Sequence, residues 1–332
     1  GVATAAGGWT THHLEIKGDS GEVEALCPLY LREDAEGEYL WYEPFLAAAM
    51  ARGIPHSPRA VVAVPWTPVP GQRILTEGSG LRRERLHAVA DALLKRAEEE
   101  DWASIHLVFC APDEEEAFVE RGFFPRRSYQ FQWVNHEFAD FDDFLASLSS
   151  SRRNKIRRER KELRAAGVSV DFVTGSVENF ANFYARYSAT AHRNAERAPP
   201  LPERFFEGLA RHFSHRVEFA DARLDGELIG QTLNLRKDDT FYGRYWGSMA
   251  PPRFLHFEVA LYSGIEHCIA EGLQRFDPGH GGEHKALRGF DPVPVHSAHW
   301  FAEPRLHEAG AAWSGEEARW MHEQVFRDSK ND

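Results

Sequence analysis

Residues 276–290, a glycine-rich stretch late in the chain, concentrate side chains that can exchange protons and hold anions. Within nine positions, interspersed with glycines, lie His280, Glu283, His284, Lys285 and Arg288. Glycines let a backbone approach a ligand closely, while imidazoles, a carboxylate and two cations supply acids, bases and anion-holding groups. The stretch therefore predicts a functional site, with a solvated charged turn as the alternative.

Two earlier segments carry similar side chains. A predicted strand contains Arg244, Tyr245 and Trp246, and the start of the next predicted helix contains His256 and Glu258. If the chain is still extended at that point, the imidazole and the carboxylate share one face. The alternative is that His256 bonds to backbone and Glu258 only complements the helix dipole.

A metal site is a competing interpretation of the glycine-rich stretch. His280 and His284 are spaced i, i+4, with Glu283 beside the second imidazole. However, Gly281 and Gly282 disfavour a rigid helix there, and no third ligand follows at zinc-like spacing. We therefore expect acid–base chemistry without a metal ion.

These residues must be positioned by a mixed α+β fold. A continuous apolar run at 60–64 predicts a central strand, and residues 81–100 predict an amphipathic helix. In the second half, a basic helix is predicted at 151–166 and another helix at 258–271. Each half runs hairpin, strand, long helix, strand, short helix, which indicates an internal duplication.

The chain length of 332 residues fits two domains. We expect a first domain over residues 1–140 and a second over 141–300, each with a central mixed sheet flanked by helices. The last segment, 301–332, is expected to pack back on the first domain.

Composition excludes several classes of protein. Hydrophobic residues make up 42% of the chain, which argues against disorder, and a net charge of −12 argues against whole-surface binding to nucleic acid. No apolar run approaches the ~18 residues of a membrane span. Three cysteines without paired spacing, Cys27, Cys110 and Cys268, predict buried reduced thiols in a cytoplasmic protein.

Several stretches together resemble one protein family. They are Gly8–Trp9, Ala25–Tyr30, Val62–Arg73, Ser151–Arg160, Gly243–Gly247, Leu255–Glu258 and Pro278–Phe290, the last including Gly281-Gly282-Glu283-His284-Lys285. The resemblance is to FemAB-like, GNAT-related predicted N-acyltransferases, and it covers nearly the whole chain. In that family helices usually precede the Gly-Trp pair, so we expect the first domain to lack them here.

The resemblance implies a tandem GNAT-like acyltransferase fold and an N-acyltransferase. Such an enzyme moves an acyl or aminoacyl group from acyl-CoA or aminoacyl-tRNA, used as a co-substrate rather than a tightly bound cofactor. The acceptor is an amine-bearing small molecule or peptide, and tRNA is a possible partner. The direct attack needs a neutral amine, a polarised carbonyl and a protonated leaving group.

Roles for the candidate residues follow from that chemistry. The predicted catalytic residues are His256, Glu258, His284, Glu283 and Tyr245, with Glu258 or His284 as the base. The predicted substrate-binding residues are Arg244, Trp246, Tyr262, Lys285, Arg288 and His280.

Two further segments are candidates for the donor. The loop Thr67–Arg73 follows a central strand and precedes a helix, where Thr67, Gly71 and Arg73 are predicted to hold a pyrophosphate. Its prolines remove donors, so a rigid wall is the alternative.

The basic run 152–164 holds eight cations and two acids. Arg153, Arg157 and Lys161 are predicted to follow the phosphates of tRNA, as the resemblance implies. A solvated helix face and a site for a phosphorylated small molecule remain alternatives. For the whole protein, a non-catalytic binding module and a metal-dependent hydrolase are the rival functions.

Overall fold

The structure is a computed structural model that describes residues 8–33, 43–78, 80–195, 201–249 and 251–326. The chain folds into two compact units. Of the described residues, those from 130 to 293 form unit 1, and those before 130 together with 294–326 form unit 2. The fold is mixed α+β, with mixed sheets flanked by helices, and the predicted fold class is confirmed.

In chain order the strands are β1 (Trp9–Thr11), β2 (Leu14–Lys17), β3 (Val23–Cys27), β4 (Leu29–Arg32), β5 (Arg59–Val62), β6 (Leu75–Thr76), β7 (Ser104–Cys110), β8 (Phe124–Val134), β9 (Val168–Thr174), β10 (Val217–Leu224), β11 (Glu227–Lys237), β12 (Thr240–Ser248), β13 (Arg275–Asp277) and β14 (Asp291–Phe301).

The α-helices are α1 (Glu43–Ala51), α2 (Arg82–Glu99), α3 (Pro112–Val119), α4 (Phe141–Ser147), α5 (Ser150–Ala165), α6 (Val177–Ala195), α7 (Glu203–His212), α8 (Leu255–Phe257), α9 (Ser263–Ala270) and α10 (Pro304–Met321). Short 3₁₀ turns span Ser214–Arg216 and Glu283–Arg288, and π-helical turns span Glu258–Tyr262 and His322–Phe326. Within the described ranges, none of these helices is long and apolar enough to cross a membrane.

Unit 1 is built on the strand order β8-β13-β12-β11-β10-β9. Neighbours are antiparallel except β12 and β13, which run parallel and are joined through α8, the π-helical turn and α9. The β10–β11 hairpin turns at Asp225 and Gly226, whose φ angles of 52° and 84° suit the two-residue turns that match strand twist. Gly264 lets α9 approach the sheet, since a Cβ there would lie 2.5 Å from the Phe276 ring.

Unit 2 carries the order β1-β4-β5-β7-β14 and a small sheet β2-β3-β6. Strand β5 is buried along its length and pairs in parallel with β7, as expected for an apolar central strand. Helix α2 buries Leu86, Val89, Ala90, Leu93 and Ala97 against this sheet, which confirms the predicted apolar face.

A buried histidine pair lies on the other side of unit 2. The Nδ1 atoms of His106 and His299 lie 2.8 Å apart, and His106 Nε2 lies 2.9 Å from Ser104 Oγ. Phe45 packs against both imidazoles. Burial first, and the positive charge of Arg126 in addition, hold the pKa of both histidines well below the ordinary value. Both rings are therefore neutral at pH 7, and one Nδ1–H donates to the other ring.

Candidate functional site

The parallel pair in unit 1 opens into a pocket. Pairing of β12 with β13 runs from Thr240–Arg275 to Tyr242–Asp277, where β13 ends while β12 continues to Ser248. Beyond Tyr242, β12 therefore lies beside the turn that follows β13 rather than beside that strand.

This pocket, which we call the strand-edge pocket, has a volume of about 240 Å³. Its lining consists of Thr232, Asn234, Gly243, Arg244, Tyr245, Trp246, His256, Ala260, Leu261, Pro278, Gly279, His280, Gly281, Gly282, His284 and Lys285. Three imidazoles, one guanidinium and one ammonium group belong to the lining. Among the described residues that line the pocket, none carries a carboxylate. The pocket therefore favours neutral or anionic ligands over cationic ones.

A β-bulge brings Arg244 into the lining. Strands β11 and β12 pair Leu233 with Tyr245 and Asn234 with Gly243, so Arg244 is the extra residue. Bulges re-aim side chains next to functional sites. The Arg244 guanidinium lies 5.3 Å from the centre of the Tyr245 ring.

His256 and Glu258 lie on different sides of their helix. The chain is already helical from Leu255, so the two side chains do not share an extended face. His256 lines the strand-edge pocket, with its ring centre 5.4 Å from Trp246. Glu258 instead lines a separate cavity and binds Arg160, whose Nε lies 3.0 and 3.2 Å from its two carboxylate oxygens.

Burial first lowers the pKa of His256, and the positive charges of Lys285 and Arg288, with that of His284 once it is protonated, lower it further. The side chain remains open to solvent through the pocket mouth, which limits the size of this shift. His256 is therefore a neutral imidazole at pH 7.

Lys285 lies in the wall of the pocket and is only 5% exposed. Its Nζ donates to the Gly279 carbonyl at 2.6 Å. Burial lowers the pKa of Lys285 to about 8, and the nearby Asp277 carboxylate opposes this change. A lysine with that pKa exchanges its proton close to neutral pH, which suits a general acid or base.

His284 and His280 complete the basic lining. Burial lowers the pKa of both, and Lys285 adds to the effect. The His284 Nε2 is buried and finds no hydrogen-bond partner among the described residues. Gly282, with φ of 86°, places its Cα beneath that imidazole, where a Cβ would lie 2.5 Å from Cε1.

Three other predicted site residues lie outside the lining. Glu283 is exposed on the 3₁₀ turn. Tyr262 and Arg288 are buried beneath the pocket and bind Glu159. The structure therefore gathers His256, His284, His280 and Lys285 with the β12 residues, but not these three or Glu258.

The loop Thr67–Arg73 in unit 2 uses its donors internally. The N–H groups of Thr67, Val69 and Gly71 donate to main-chain carbonyls. The Arg73 guanidinium is buried and donates to the carbonyls of Val108, Gly71 and Val69 at 2.9, 3.1 and 2.6 Å. The phosphate-binding role predicted for Thr67, Gly71 and Arg73 therefore finds no support in this geometry.

Glu114 holds the end of the same loop. Its carboxylate, fully buried, accepts from the N–H groups of Arg73, Ile74 and Ala111 and from the Arg82 guanidinium. Burial raises the pKa of Glu114, while these donors counteract the rise. The loop is thus a braced wall, which was the sequence-based alternative.

On helix α5 the predicted phosphate-binding cations differ in their contacts. Arg153 donates to the carbonyls of Leu145, Ala146 and Leu148, at the end of α4. Arg157 forms an exposed ion pair with Asp142. Arg157, Lys161 and Arg164 are exposed along one stripe beside a groove of about 550 Å³, so this stripe rather than Arg153 is the accessible basic surface.

The sequence analysis missed four polar residues around the pocket. Thr232 and Asn234 line it, and Asn234 Nδ2 donates to Thr232 Oγ1 at 3.0 Å. Asp277 is buried below Lys285, and Glu159 is buried below Arg288. Asp277 directly precedes the Pro-Gly turn, which was a usable signal, whereas Glu159 is hidden among the cations of α5.

No group of three or more His, Cys, Asp or Glu side chains in the described ranges is arranged to hold a metal ion. The three cysteines are buried and unpaired, as predicted.

Comparison with known proteins places the chain in context. The model of the FemAB-like family, described as peptidoglycan biosynthesis/recognition, matches residues 1–331. No curated protein sequence matches the chain.

Among solved structures, FemX is 12% identical with a TM-score of 0.53, covering 92% of this chain and 91% of FemX. The C-terminal domain of a putative lysylphosphatidylglycerol synthetase from Agrobacterium fabrum is also 12% identical with a TM-score of 0.53, covering 95% and 89%. L-PGS from Bacillus licheniformis is 12% identical with a TM-score of 0.51, covering 88% and 84%. At these identities the likeness concerns the fold alone.

Proposed function

The chain belongs to the FemAB-like family, and from that premise we propose that it is an N-acyltransferase acting in the strand-edge pocket. The observation that carries the proposal is the chemistry of the lining: neutral imidazoles and a lysine with a pKa of about 8 lie around β12 where it continues beyond β13. Such groups can remove and return protons near neutral pH without a covalent intermediate.

The proposed reaction is one direct displacement. The acceptor nitrogen attacks the acyl carbonyl carbon, so a C–N bond forms and the C–O bond of an ester, or the C–S bond of a thioester, breaks. The proton lost by the nitrogen goes to Nε2 of His284, which is neutral and has no other partner among the described residues.

Lys285 supplies the complementary proton. At pH 7 most of the lysine is protonated, and it can hydrogen-bond the developing oxyanion and then protonate the departing oxygen or sulfur. Its fixed donation to the Gly279 carbonyl keeps Nζ in the wall of the pocket. Of the two bases predicted from sequence, the proposal retains His284, because Glu258 is directed into another cavity and bound to Arg160.

The donor is proposed to be an aminoacyl ester of tRNA, with acyl-CoA as the alternative. One of the similar structures is named as the C-terminal domain of a putative lysylphosphatidylglycerol synthetase. In addition, the loop Thr67–Arg73, predicted to hold the pyrophosphate of a donor such as acyl-CoA, uses the N–H groups of Thr67, Val69 and Gly71 within the protein. The exposed stripe Arg157, Lys161 and Arg164 offers cations for a polynucleotide.

For the acceptor we propose an amine that also carries a carboxylate or phosphate. Arg244 and Lys285 bring positive charge to a lining without carboxylates. The pocket volume of about 240 Å³ has room for an amino-acid-sized group, not for a whole precursor.

The test supplies the purified chain with a pool of tRNA charged with radiolabelled amino acids, or with short acyl-CoAs, and amine-bearing peptides as acceptors. An amide product survives mild alkali that hydrolyses the aminoacyl ester, so alkali-stable label on the peptide reports transfer. We expect transfer that His284→Gln lowers by about 10²–10⁴-fold, and that the exposed control Glu283→Gln leaves within twofold.

Binding of charged tRNA or peptide with no amide formed from any donor would reject the proposal. It would favour the rival interpretation, a non-catalytic binding module.

A further inference from the structure

A buried ion pair lies beneath the strand-edge pocket, and the proposed reaction does not use it. Arg288 Nη2 lies 3.0 Å from each carboxylate oxygen of Glu159, and the two residues are each 2% exposed. Glu159 belongs to α5, 129 residues earlier in the chain, so the contact is purely tertiary. Buried pairs of this kind are costly to desolvate and persist where all their hydrogen bonds are satisfied.

The phenol of Tyr262 joins the same cluster. Its hydroxyl donates to Glu159 at 2.5 Å and accepts from Arg288 Nε at 2.7 Å, and the ring is fully buried. Tyr262 is the last residue of the π-helical turn, and such turns occur frequently at functional sites. The π-helical turn and the 3₁₀ turn are therefore both held by one carboxylate on α5.

Arg288 transmits this contact to the pocket. Its Nη1 donates to the His284 carbonyl at 2.9 Å, and its guanidinium carbon lies 3.6 Å from the centre of the Phe257 ring. The His284 ring in turn lies 5.2 Å from Phe257. The guanidinium thus braces the main chain of His284 from below while the imidazole faces the pocket.

We propose that Glu159 is a positioning residue of the strand-edge pocket, which fixes the place of His284 and Lys285 by holding Arg288 and Tyr262. The proposal rests on the proposed function for its effect on turnover, but not for its effect on His284 itself.

The alternative is that the ion pair only contributes stability. The two interpretations differ in turnover: loss of the Glu159 charge shifts the His284 titration in either case, whereas only a positioning role also lowers kcat. The charged groups near its imidazole are Arg288, Lys285, Glu159 and Lys155, and His256 lies 6.4 Å away ring to ring. Burial first, and then Arg288 and Lys285, lower the pKa of His284; the Glu159 carboxylate opposes this change, and Lys155 adds to it.

The experiment compares Glu159→Gln with Glu162→Gln in the full chain. Glutamine keeps the shape of Glu159 but removes its charge, and Glu162 is an exposed carboxylate on the same helix, which makes it the matched control. The titration of the His284 ring protons is followed by NMR, with the resonance assigned by its loss in His284→Gln. Transfer of label to the peptide acceptor is measured across pH in parallel.

For Glu159→Gln we expect the His284 titration midpoint to move to lower pH and kcat to fall about 10²-fold, because a displacement of about 1 Å costs that much. KM should stay within threefold, since Glu159 does not line the pocket. Glu162→Gln should change neither the titration nor kcat. Glu159→Asp, which keeps the charge, should restore the midpoint at least in part.

An unchanged His284 titration in Glu159→Gln would overturn the proposal. If that variant does not fold, Tyr262→Phe removes only the hydroxyl that joins both partners, and an unchanged titration there would overturn it equally. A shifted titration with wild-type turnover, where His284→Gln does lower turnover, would show that Glu159 acts on His284 through its charge alone and would also overturn the proposal. If His284→Gln turns over like the wild type, the proposed function fails instead.

Discussion

Each unit has a strand that continues beyond its parallel partner, but the space beside that strand is used differently in the two units. In unit 1, β12 continues beyond its parallel partner β13, and the edge left over borders a pocket. In unit 2, β7 likewise continues beyond its parallel partner β5. The last pair between them joins Val62 of β5 to Leu107 of β7. There Arg73 donates to Val108, the next residue of β7, and so occupies the edge that β5 leaves.

The difference shows that strand geometry alone does not make a site. In both units a strand carries main-chain polar groups beyond the end of its parallel partner, and such groups must find partners when buried. In unit 2 a buried arginine and the carboxylate of Glu114 satisfy them and seal the loop. In unit 1 the lining holds titratable groups with displaced pKa values instead, and such groups cluster at functional sites.

The sharpest test of this contrast is Lys285→Met. We expect transfer to fall by about 10²-fold or more, because removal of a preorganised donor costs this much. Unfolding at pH 7 should become harder by about 2 kcal/mol, since the burial cost of the charge, roughly 3 kcal/mol, is only partly offset by the lost hydrogen bond of about 1 kcal/mol. Denaturant unfolding and the transfer assay measure the two effects.

The gain in unfolding free energy expected for Lys285→Met should depend on pH in a defined direction. Because the folded-state pKa of Lys285 is lowered to about 8 from 10.5, the cost is complete below pH 8 and disappears as the pH rises to 10.5. The free energy by which Lys285→Met is more stable than the wild type should therefore decrease between pH 8 and pH 10.5. A variant less stable than wild type at pH 7 would contradict the burial argument.

Arg73→Met should show the opposite pattern. It removes three donors from buried carbonyls, so we expect the free energy of unfolding to fall by about 3 kcal/mol. Transfer measured well below the melting temperature should remain within twofold. Arg83→Gln, on an exposed pair with Glu120, is the control and should change stability by less than about 1 kcal/mol. Loss of transfer in a folded Arg73→Met protein would mean that the sealed loop has a functional role.

Acid should weaken unit 2 through its histidine pair. The folded-state pKa values of His106 and His299 are lowered, so the unfolded chain binds more protons and stability falls as pH drops below about 6.5. The expected slope is about 1.4 kcal/mol per pH unit for each histidine. His106→Phe should reduce the slope by about one such contribution, whereas the exposed His215→Gln should not. Equal slopes in both variants would argue against the neutral pair.

The smallest stability effect is expected on the basic stripe. Arg157, Lys161 and Arg164 are exposed, so changing all three to Gln should alter the unfolding free energy by less than about 1 kcal/mol. If this stripe receives tRNA, the salt dependence of tRNA binding should become distinctly shallower. An unchanged salt slope in a filter-binding assay would remove the stripe from the donor site.

Local patterns predicted the elements well. The amphipathic run at 81–100 corresponds to α2, and the basic run at 151–166 corresponds to α5, because apolar spacing and glycine signals lie within the segments themselves. The sequence also predicted that several residues would line one pocket, since they lie in short, polar, glycine-rich segments that follow strands.

Long-range partners decided the rest. The π-helical turn was not predicted, because its ends are held by Arg160 and Glu159, about a hundred residues earlier. An extended chain at 256–258 was the sequence-based condition for a shared face, and the observed helical turn separates His256 from Glu258. Likewise, a sequence shows a cation at position 73 but not the three carbonyls that surround it.

Unit 2 is built from two chain segments that are far apart in the sequence, and this affects how it can fold during synthesis. Arg126 on β8 binds Glu317 on α10, a contact across 191 positions, and between them the ribosome must produce all of unit 1. At about 5–20 residues per second this takes roughly 10–40 s. During that interval Phe45 and Phe124 lack Phe301 and Leu306, their later apolar neighbours. We therefore expect the nascent N-terminal half to depend on chaperones until its final strand and helix emerge, whereas unit 1, one uninterrupted segment, can fold as soon as it leaves the ribosome.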